Sequence, residues 1–178
     1  MKIMILVGSA DADSHSLHLA RAIEDKLRSL GAQTEVINLV EYGLPLYDRS
    51  IERAGAYDEI TKAFLDMGLA FDGYVWVTPI YHNSYSAMLK NALDWHHTTK
   101  FPGKVLGLAS NGGNRSPQAL DQLMMPARSM GFVTIPTRVC TDASDYNDQL
   151  ELTDAGIQER ITRFSNELVS YIHKFKTL

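Results

Sequence analysis

Short apolar runs alternate with longer amphipathic stretches along the whole chain. The first run, KIMILV, is continuously apolar after its lysine, which is typical of a strand covered on both faces of a sheet. Five such strands are predicted, at Lys2–Val7, Thr34–Leu39, Gly73–Val77, Lys104–Ser110 and Phe132–Cys140. The last is expected to be irregular, because Pro136 cannot donate a hydrogen bond to a neighbouring strand.

Amphipathic helices are predicted between and after these strands, because apolar residues recur there every three or four positions. Three apolar faces stand out: Leu17, Ala20, Ile23, Leu27 and Leu30; Ile60, Phe64, Met67 and Phe71; and Ile157, Ile161, Phe164, Leu168, Ile172 and Phe175. Two more helices are predicted from about Ser84 to Trp95 and from about Pro117 to Met130. Residues 41–55, which contain Gly43 and Pro45, are predicted to form a loop.

This alternation predicts an α/β protein in which helices cover both faces of a parallel sheet, giving three layers. Five strands favour a flavodoxin-like fold with the strand order 2-1-3-4-5. Nothing in the sequence resembles a linker or an internal repeat, so residues 1–178 are predicted to form a single domain.

Charge and cysteine content exclude several classes of protein. The net charge of -4 argues against a nucleic-acid surface, which is normally basic. A lone cysteine, Cys140, permits no disulfide within the chain and suits a reducing compartment, and its apolar neighbours indicate a buried small residue. No stretch has the length of a signal peptide's apolar core or of a membrane span, so we expect a cytoplasmic protein without a membrane partner.

A polar loop, GSADADSHS, follows the first predicted strand and leads into a helix. Ser9, Ser14 and Ser16 bring hydroxyl groups to the helix start, where free N–H groups and the helix dipole favour an anion. An N-cap role would explain Ser14 alone equally well. The loop lacks the lysine of a nucleoside-triphosphate site and the glycines of a dinucleotide site, so it favours the single phosphate of a mononucleotide.

Two further polar loops follow the third and fourth predicted strands. The carboxyl ends of parallel strands are where ligands bind in such folds, and both loops could face a flat, uncharged ring of flavin size. The candidate residues are Pro79, Ile80, Tyr81, His82, Asn83 and Ser84 in one loop, and Ser110, Asn111, Gly112, Gly113 and Asn114 in the other. A purely structural alternative is that Tyr81 and Tyr85 pack in the core or at a subunit contact, and that the two glycines only form a turn.

The segments GSADADSHSLHLA, LPLYDRS, TPIYHNSYSAMLKNALDW and SNGGN together resemble the NAD(P)H-dependent FMN reductase family of flavodoxin-like proteins, which includes quinone, azo-dye and chromate reductases. The resemblance implies bound FMN with its phosphate at Ser9, Ser14, Ser16 and Leu17 and its ring against the other two loops. It implies NADPH or NADH as co-substrate and a quinone, azo compound, metal oxyanion or free flavin as acceptor. It also implies homodimers or homotetramers with the LPLYD loop and the helix after the third strand at the contact. The chemistry would be carried by the flavin without a catalytic side chain.

Several positions depart from the family pattern. Asp11 stands where the family usually has an arginine that contacts the phosphate, and Ser16 replaces an asparagine. Ile80 replaces a glutamate, and His82–Asn83 replaces the usual Asn-Gly pair. A carboxylate near the phosphate would weaken FMN binding, so we expect a lower FMN affinity than is usual for the family; His15 is a candidate partial substitute for the arginine.

Two alternatives to a reductase remain open from the sequence. One is an FMN electron carrier that does not turn over a pyridine nucleotide, and the other is a relative that has lost FMN and serves as a binding module. His96 and His97 do not predict a metal site, because adjacent helical residues point in different directions, and Lys90 and Asp94 are predicted to form a surface ion pair.

Overall fold

A parallel sheet lies at the centre of the fold, and the computed structural model describes residues 1–97 and 99–176 of the chain. The strands are β1 (Lys2–Val7), β2 (Gln33–Asn38), β3 (Gly73–Pro79), β4 (Val105–Asn111), β5 (Val133–Thr134) and β6 (Val139–Thr141). The sheet has the order β2-β1-β3-β4-β5, with β6 also paired to β4, so the predicted order 2-1-3-4-5 is confirmed.

The predicted fifth strand is divided into β5 and β6. Both pieces pair in parallel with β4, β5 at residues 105–106 and β6 at residues 109–111. Pro136 lies in the gap between them, as expected for a residue that cannot donate to the ladder. The prediction of an irregular strand is therefore confirmed, although its two paired parts are shorter than the sequence suggested.

Helices cover both faces of the sheet. The helices are α1 (His15–Ser29), α2 (Leu39–Tyr42), α3 (Arg49–Ala54), α4 (Glu59–Gly68), α5 (Ala87–Trp95), α6 (Gln118–Met130) and α7 (Ala155–Lys176). One apolar core lies between the sheet and α1 and α7, and a second lies between the sheet and α4, α5 and α6. None of the helices in residues 1–97 and 99–176 combines the length and apolar character needed to cross a membrane.

Three sequence predictions of helices and loops are wrong in detail. The predicted loop 41–55 contains α3 and the end of α2, because both helices are too short to show a helical period in the sequence. Asp48 is the N-cap of α3 and accepts a hydrogen bond from the Ser50 N–H. Helix α5 begins at Ala87 rather than near Ser84, because the intervening residues form a turn and Ser86 is the N-cap. Ile60, expected on a buried face, is 45% exposed at the start of α4.

Helix α5 packs closely against the end of β1 at Gly8. A Cβ atom at Gly8 would lie 2.6 Å from the Cβ of Leu89, so a side chain there would push the helix away. The hydroxyl of Ser86 donates a hydrogen bond to the Gly8 carbonyl, and the Ser86 N–H donates to Oγ1 of Thr78 at 3.0 Å. These contacts hold the start of α5 and the loops after β1 and β3 in a fixed arrangement.

Candidate functional site

Three polar loops meet at one edge of the sheet. In the parallel register, Val7 lies opposite Val77 and Ser110 lies opposite Thr78, so β1, β3 and β4 end at the same level. The loops that follow these strands are residues 8–14, 80–86 and 112–117. Such a junction of strand ends is where open α/β sheets bind their ligands. The structure therefore brings together the three segments that sequence analysis singled out.

The first loop is organised by its own serine and aspartate side chains. Ser9 Oγ accepts a hydrogen bond from the Asp11 N–H at 3.1 Å, and Ser14 Oγ accepts one from the Leu17 N–H at 3.2 Å. Ser14 is therefore the N-cap of α1. Each hydroxyl still has its proton to donate, because a serine is both donor and acceptor. Capping and phosphate binding by Ser14 are thus compatible.

Burial separates the predicted phosphate residues. Ser14 is half-buried, whereas Ser9 and Ser16 are each only 1% exposed. Asp11 is exposed, and its Oδ1 accepts a hydrogen bond from the Asp13 N–H at 3.2 Å. The carboxylate of Asp11 thus faces solvent rather than the protein interior. The Ser14 side chain is therefore more accessible to a phosphate than the side chains of Ser9 and Ser16 are.

The two histidines near the first loop have different partners. His18 Nε2 lies 2.9 Å from Oδ1 of Asp13, at hydrogen-bonding distance. The ring of His15 instead packs edge-on against Tyr146, with ring centroids 4.8 Å apart. The Tyr146 hydroxyl donates to the His15 carbonyl at 3.3 Å, which ties the start of α1 to the segment after β6. His15 as a phosphate partner stays a prediction.

The second loop contains a tight hairpin at residues 81–84. Tyr81 and Ser84 exchange two backbone hydrogen bonds of 3.0 Å, and His82 and Asn83 between them have positive φ values of 49° and 61°. Two successive left-handed residues define a type I′ turn, for which Asn-Gly is the favoured sequence. His82–Asn83 therefore occupies the backbone conformation that the family's Asn-Gly would adopt, with more steric strain.

Neighbouring elements hold this hairpin at both ends. The Ile80 N–H donates to the Asn111 carbonyl at 2.9 Å, which joins the hairpin to the end of β4. On the other side, Gln122 of α6 accepts from the Ser84 hydroxyl at 2.6 Å and donates to the Asn83 carbonyl at 2.8 Å. Tyr81 is 48% exposed, so the alternative that it packs in the core is wrong, whereas Tyr85 is half-buried against the core under α5.

The third loop contains four successive residues with positive φ. Gly112, Gly113, Asn114 and Arg115 have φ values of 108°, 62°, 55° and 59°. Such a run is unfavourable for residues with a side chain, so contacts from other segments of the chain are needed to stabilise it. Asp142, beyond β6, accepts a hydrogen bond from the Asn114 N–H at 3.0 Å.

Arg115 anchors the same loop through carboxylates that sequence analysis missed. Its guanidinium pairs with Asp145, whose exposure is 0%, and with Asp154 at 3.0 Å. The two carboxylates hold the pKa of Arg115 above its usual value, chiefly through the hydrogen bonds that its guanidinium donates to Asp145. These partners are thirty or more positions away along the chain, and no local pattern could have indicated them.

A buried polar group lies between the second and third loops. Ser110 is completely buried at the end of β4, and its hydroxyl has no hydrogen-bond partner among the described residues. Next to it, Thr141 Oγ1 donates toward the Ser110 carbonyl at 3.3 Å and is 3.0 Å from the hydroxyl of Tyr146. Burial raises the pKa of Tyr146 to about 12, so its phenol stays protonated.

Comparison with known proteins identifies the family. The sequence matches the NADPH-dependent FMN reductase family over residues 1–145. It is 33% identical, over 181 aligned positions, to the FMN-dependent NADPH-azoreductase of Staphylococcus aureus (strain USA300), covering 97% of this chain and 96% of that protein.

Solved structures share the fold. FerB, a flavoenzyme NAD(P)H:(acceptor) oxidoreductase from Paracoccus denitrificans, matches with a TM-score of 0.80 and 23% identity over 98% of both chains. The apo form of the NADH:FMN oxidoreductase EMOB matches with a TM-score of 0.72 and 23% identity, over 93% of this chain and 88% of that one. A flavodoxin from Streptococcus pneumoniae TIGR4 has a TM-score of 0.66 and 18% identity, over 96% and 99% of the two chains.

The sheet order and the loops at its edge define a flavodoxin-like α/β protein. More narrowly, the chain belongs to the NADPH-dependent FMN reductase family, and it is an FMN-dependent oxidoreductase that uses NAD(P)H. The resemblance drawn from the sequence motifs is confirmed. The alternatives of an electron carrier and of a binding module without flavin lose their support, because the family and its azoreductase relative are enzymes.

The residues at the sheet edge fit FMN. A Cβ atom added to Gly113 would lie 3.4 Å from Cδ1 of Ile80, so the glycine leaves a narrow space between the second and third loops. The orphaned hydroxyl of Ser110 lies at the base of the same two loops. The start of α1 supplies free N–H groups to a phosphate. The role of each residue in binding stays a prediction.

Proposed function

We propose that FMN lies along the edge of the sheet, with its phosphate at residues 9–17 and its ring between residues 79–84 and 110–114. The observation that carries this proposal is the convergence of three uncharged or hydroxyl-rich loops at the ends of β1, β3 and β4. The loop after β1 has hydroxyl protons and helix N–H groups for a dianion. The hairpin and the glycine loop provide backbone donors and flat surface for the ring.

The ring end of this site is rigid and carries little charge. The hairpin is tied to β4 and α6, and the glycine loop is tied to the buried carboxylate of Asp145. The N–H groups of Gly112 and Asn114 already donate to the Thr141 carbonyl and to Asp142, so we assign to the N–H of Gly113 the stabilisation of negative charge on the pyrimidine part of the ring. Held between these loops, FMN would supply the hydride and electron transfer that links the reduced nicotinamide nucleotide to the acceptor. The protein residues then bind and orient, and no acid or base is required of them.

The acceptor is proposed to be a small planar molecule, an azo compound or a quinone, with metal oxyanions and free flavin as weaker alternatives. Tyr81 is 48% exposed beside the ring position and offers flat surface to such a molecule. The azoreductase relative supports the azo class, and the names of the family and of that relative favour NADPH over NADH. Reducing equivalents from NADPH also suit the cytoplasmic location expected from the lone cysteine.

The first test is a visible spectrum of the purified protein with FMN, followed by anaerobic addition of NADPH or NADH. We expect the flavin bands to bleach faster with NADPH and to return when an azo dye or a quinone is added. Bound flavin that neither nucleotide reduces would overturn the proposed reaction.

Gly113→Ala and Gly55→Ala make a matched pair, because the two glycines have φ values of 62° and 63° but only Gly113 faces Ile80. Only Gly113→Ala should weaken FMN binding.

We also propose that the chain is a single domain that forms a homodimer, or a tetramer of two dimers, through the LPLYD loop and the face of α5 and α6. Leu46 in that loop is 84% exposed and Met125 on α6 is 75% exposed, which is unusual for large apolar side chains. Pro45 carries the loop onto α5, where its carbonyl accepts from Asn91 and Trp95 at 2.8 Å. Sedimentation equilibrium should give a dimer or tetramer, and Leu46→Lys should shift it to monomer; a monomeric parent protein would overturn the proposal.

A further inference from the structure

The hairpin at residues 81–84 is fixed to helix α6 by the side chain of Gln122. Its Oε1 accepts a hydrogen bond from the Ser84 hydroxyl at 2.6 Å, and its Nε2 donates to the Asn83 carbonyl at 2.8 Å. One amide group thus binds two successive residues of the hairpin and uses both its donor and its acceptor to do so. Such a two-point contact fixes the orientation of the hairpin as well as its distance from α6.

The backbone N–H groups of the hairpin divide into paired and free ones. Those of Tyr81 and Ser84 donate across the turn, to each other's carbonyl groups, at 3.0 Å. Those of His82 and Asn83 have no acceptor in the described part of the chain. Both residues are exposed at the tip of the turn, in the segment proposed to face the flavin ring. The hairpin therefore offers two free donors at one defined place.

The turn needs external bonds to hold these two donors still. His82 and Asn83 have left-handed backbone conformations, which cost energy for residues with a Cβ atom. An isolated two-stranded hairpin is at best marginally stable in water. The Ile80 N–H donates to the Asn111 carbonyl at the start of the hairpin, and Gln122 adds two bonds at its end.

Helix α6 is a firm anchor for this contact. Leu120 and Leu123, on either side of Gln122 in the sequence, are completely buried and belong to the core under the sheet. Gln122 itself is exposed, so a replacement of similar length leaves this packing unchanged. Its amide thus acts on the hairpin and contributes little to the core, which separates an effect on the site from an effect on the fold.

We propose that Gln122 is a positioning residue, which orients the N–H groups of His82 and Asn83 toward the flavin and thereby raises the reduction potential of bound FMN. The inference rests on the FMN placement proposed above. Reduction puts negative charge on the flavin ring, and donors that are already oriented stabilise this charge without a cost of reorganisation. A hairpin that is free to move stabilises the reduced ring less, whereas the neutral, oxidised ring is affected little.

The test compares Gln122→Met with Gln118→Met. Methionine has nearly the length and helix propensity of glutamine, but no strong hydrogen-bonding group. Gln118 is an exposed glutamine one turn earlier on α6. In the protein without FMN, the amides of Tyr81 and Ser84 should exchange hydrogen about tenfold faster in Gln122→Met, because two ordinary hydrogen bonds are lost. Gln118→Met should leave these rates unchanged.

The second measurement is the reduction potential of FMN bound to the same proteins. In Gln122→Met, reduced FMN should bind about tenfold more weakly relative to oxidised FMN. For a two-electron couple this change lowers the potential by about 30 mV. Gln118→Met should keep the potential of the parent protein. A purely structural role of Gln122 would leave the potential unchanged, so this measurement separates it from a positioning role.

The outcomes distinguish this proposal from the proposed function. Unchanged exchange rates in Gln122→Met would overturn the positioning role. Faster exchange with an unchanged potential would also overturn it, while FMN binding and bleaching by NADPH would still support the reductase. A parent protein that binds no FMN would refute the FMN placement together with the role that rests on it, and faster exchange would then show only that Gln122 holds the hairpin.

Discussion

Arg115 and Asp145 form a two-pronged ion pair that links the glycine-rich loop to the segment after β6. The guanidinium donates through Nε, at 3.1 Å, and through Nη2 to a carboxylate that is completely buried. Asp145 also accepts a hydrogen bond from the Asp142 N–H at 2.8 Å, and Asp142 in turn holds Asn114. One carboxylate thus stabilises the backbone conformation of the loop proposed to face the flavin.

Replacing Asp145 by alanine should therefore destabilise the protein and loosen the glycine loop. The loss of charge-assisted hydrogen bonds at a buried position predicts a decrease in the free energy of unfolding of about 2 kcal/mol. Urea denaturation measures this decrease, and FMN titration measures the accompanying loss of affinity. Asp148→Ala removes an exposed carboxylate three positions away and serves as the control. An unchanged urea midpoint in Asp145→Ala would contradict the structural role.

The type I′ turn at His82–Asn83 predicts a stabilising substitution. Asn83 has φ 61°, a conformation that glycine adopts without steric cost. Asn83→Gly should raise the free energy of unfolding by roughly 0.5 to 1 kcal/mol, and Asn83→Val should lower it by more than that. Thermal unfolding of the three proteins is the measurement. If the glycine variant were the least stable, the left-handed turn would not be present in solution.

The exposed carboxylate at position 11 predicts a gain of function. Asp11→Arg removes a like charge near the proposed phosphate position and adds a donor of the kind that binds phosphates well. We expect FMN affinity to rise about tenfold, measured by quenching of flavin fluorescence at low ionic strength. Asp25→Arg makes the same change in net charge on an exposed part of α1 and should leave the affinity unchanged. Equal effects of both variants would mean that only overall charge matters.

Buried His96 predicts a loss of stability in acid. Burial lowers the pKa of its imidazole from 6.5 to about 4, so the folded protein binds this proton less readily than the unfolded chain does. The neutral ring contributes its full stabilisation above pH 6.5. As the pH falls toward 4 this contribution is lost, and the free energy of unfolding decreases by up to about 3 kcal/mol.

The measurement is the urea midpoint of the parent protein and of His96→Leu between pH 7.5 and pH 4.5. The variant should show a smaller decrease in stability, although it packs less well against Phe64 and Gly68. His97→Gln changes the adjacent, exposed histidine and should keep the slope of the parent protein. Parallel pH curves for the parent protein and His96→Leu would refute the assignment.

Periodicity predicted the parts of the fold that depend on local burial. The apolar runs located β1 and β3 almost to the residue, since strands covered on both faces leave no room for polar side chains. The short helices α2 and α3 escaped prediction because four and six residues do not complete enough turns to show a period. Pro136 correctly indicated a weak fifth strand, but not the two separate pairings on either side of it.

The three loops of the candidate site could be predicted from the sequence, but the distant residues that hold these loops in place could not. The hydroxyls, amides and glycines at the strand ends stand together in the sequence, so the three loops could be chosen from it directly. Asp145 and Gln122 support those loops from thirty or more positions away. Such contacts depend on tertiary structure and leave no local pattern.

The division of the last strand around Pro136 also limits how the molecule can associate. An unbroken edge strand offers a row of free backbone groups on which a second chain can add its own strand. Here the outer edge has only the two residues of β5 and the three of β6, with a proline between them. This end of the sheet is therefore a poor template for the addition of a strand from a second copy of the chain.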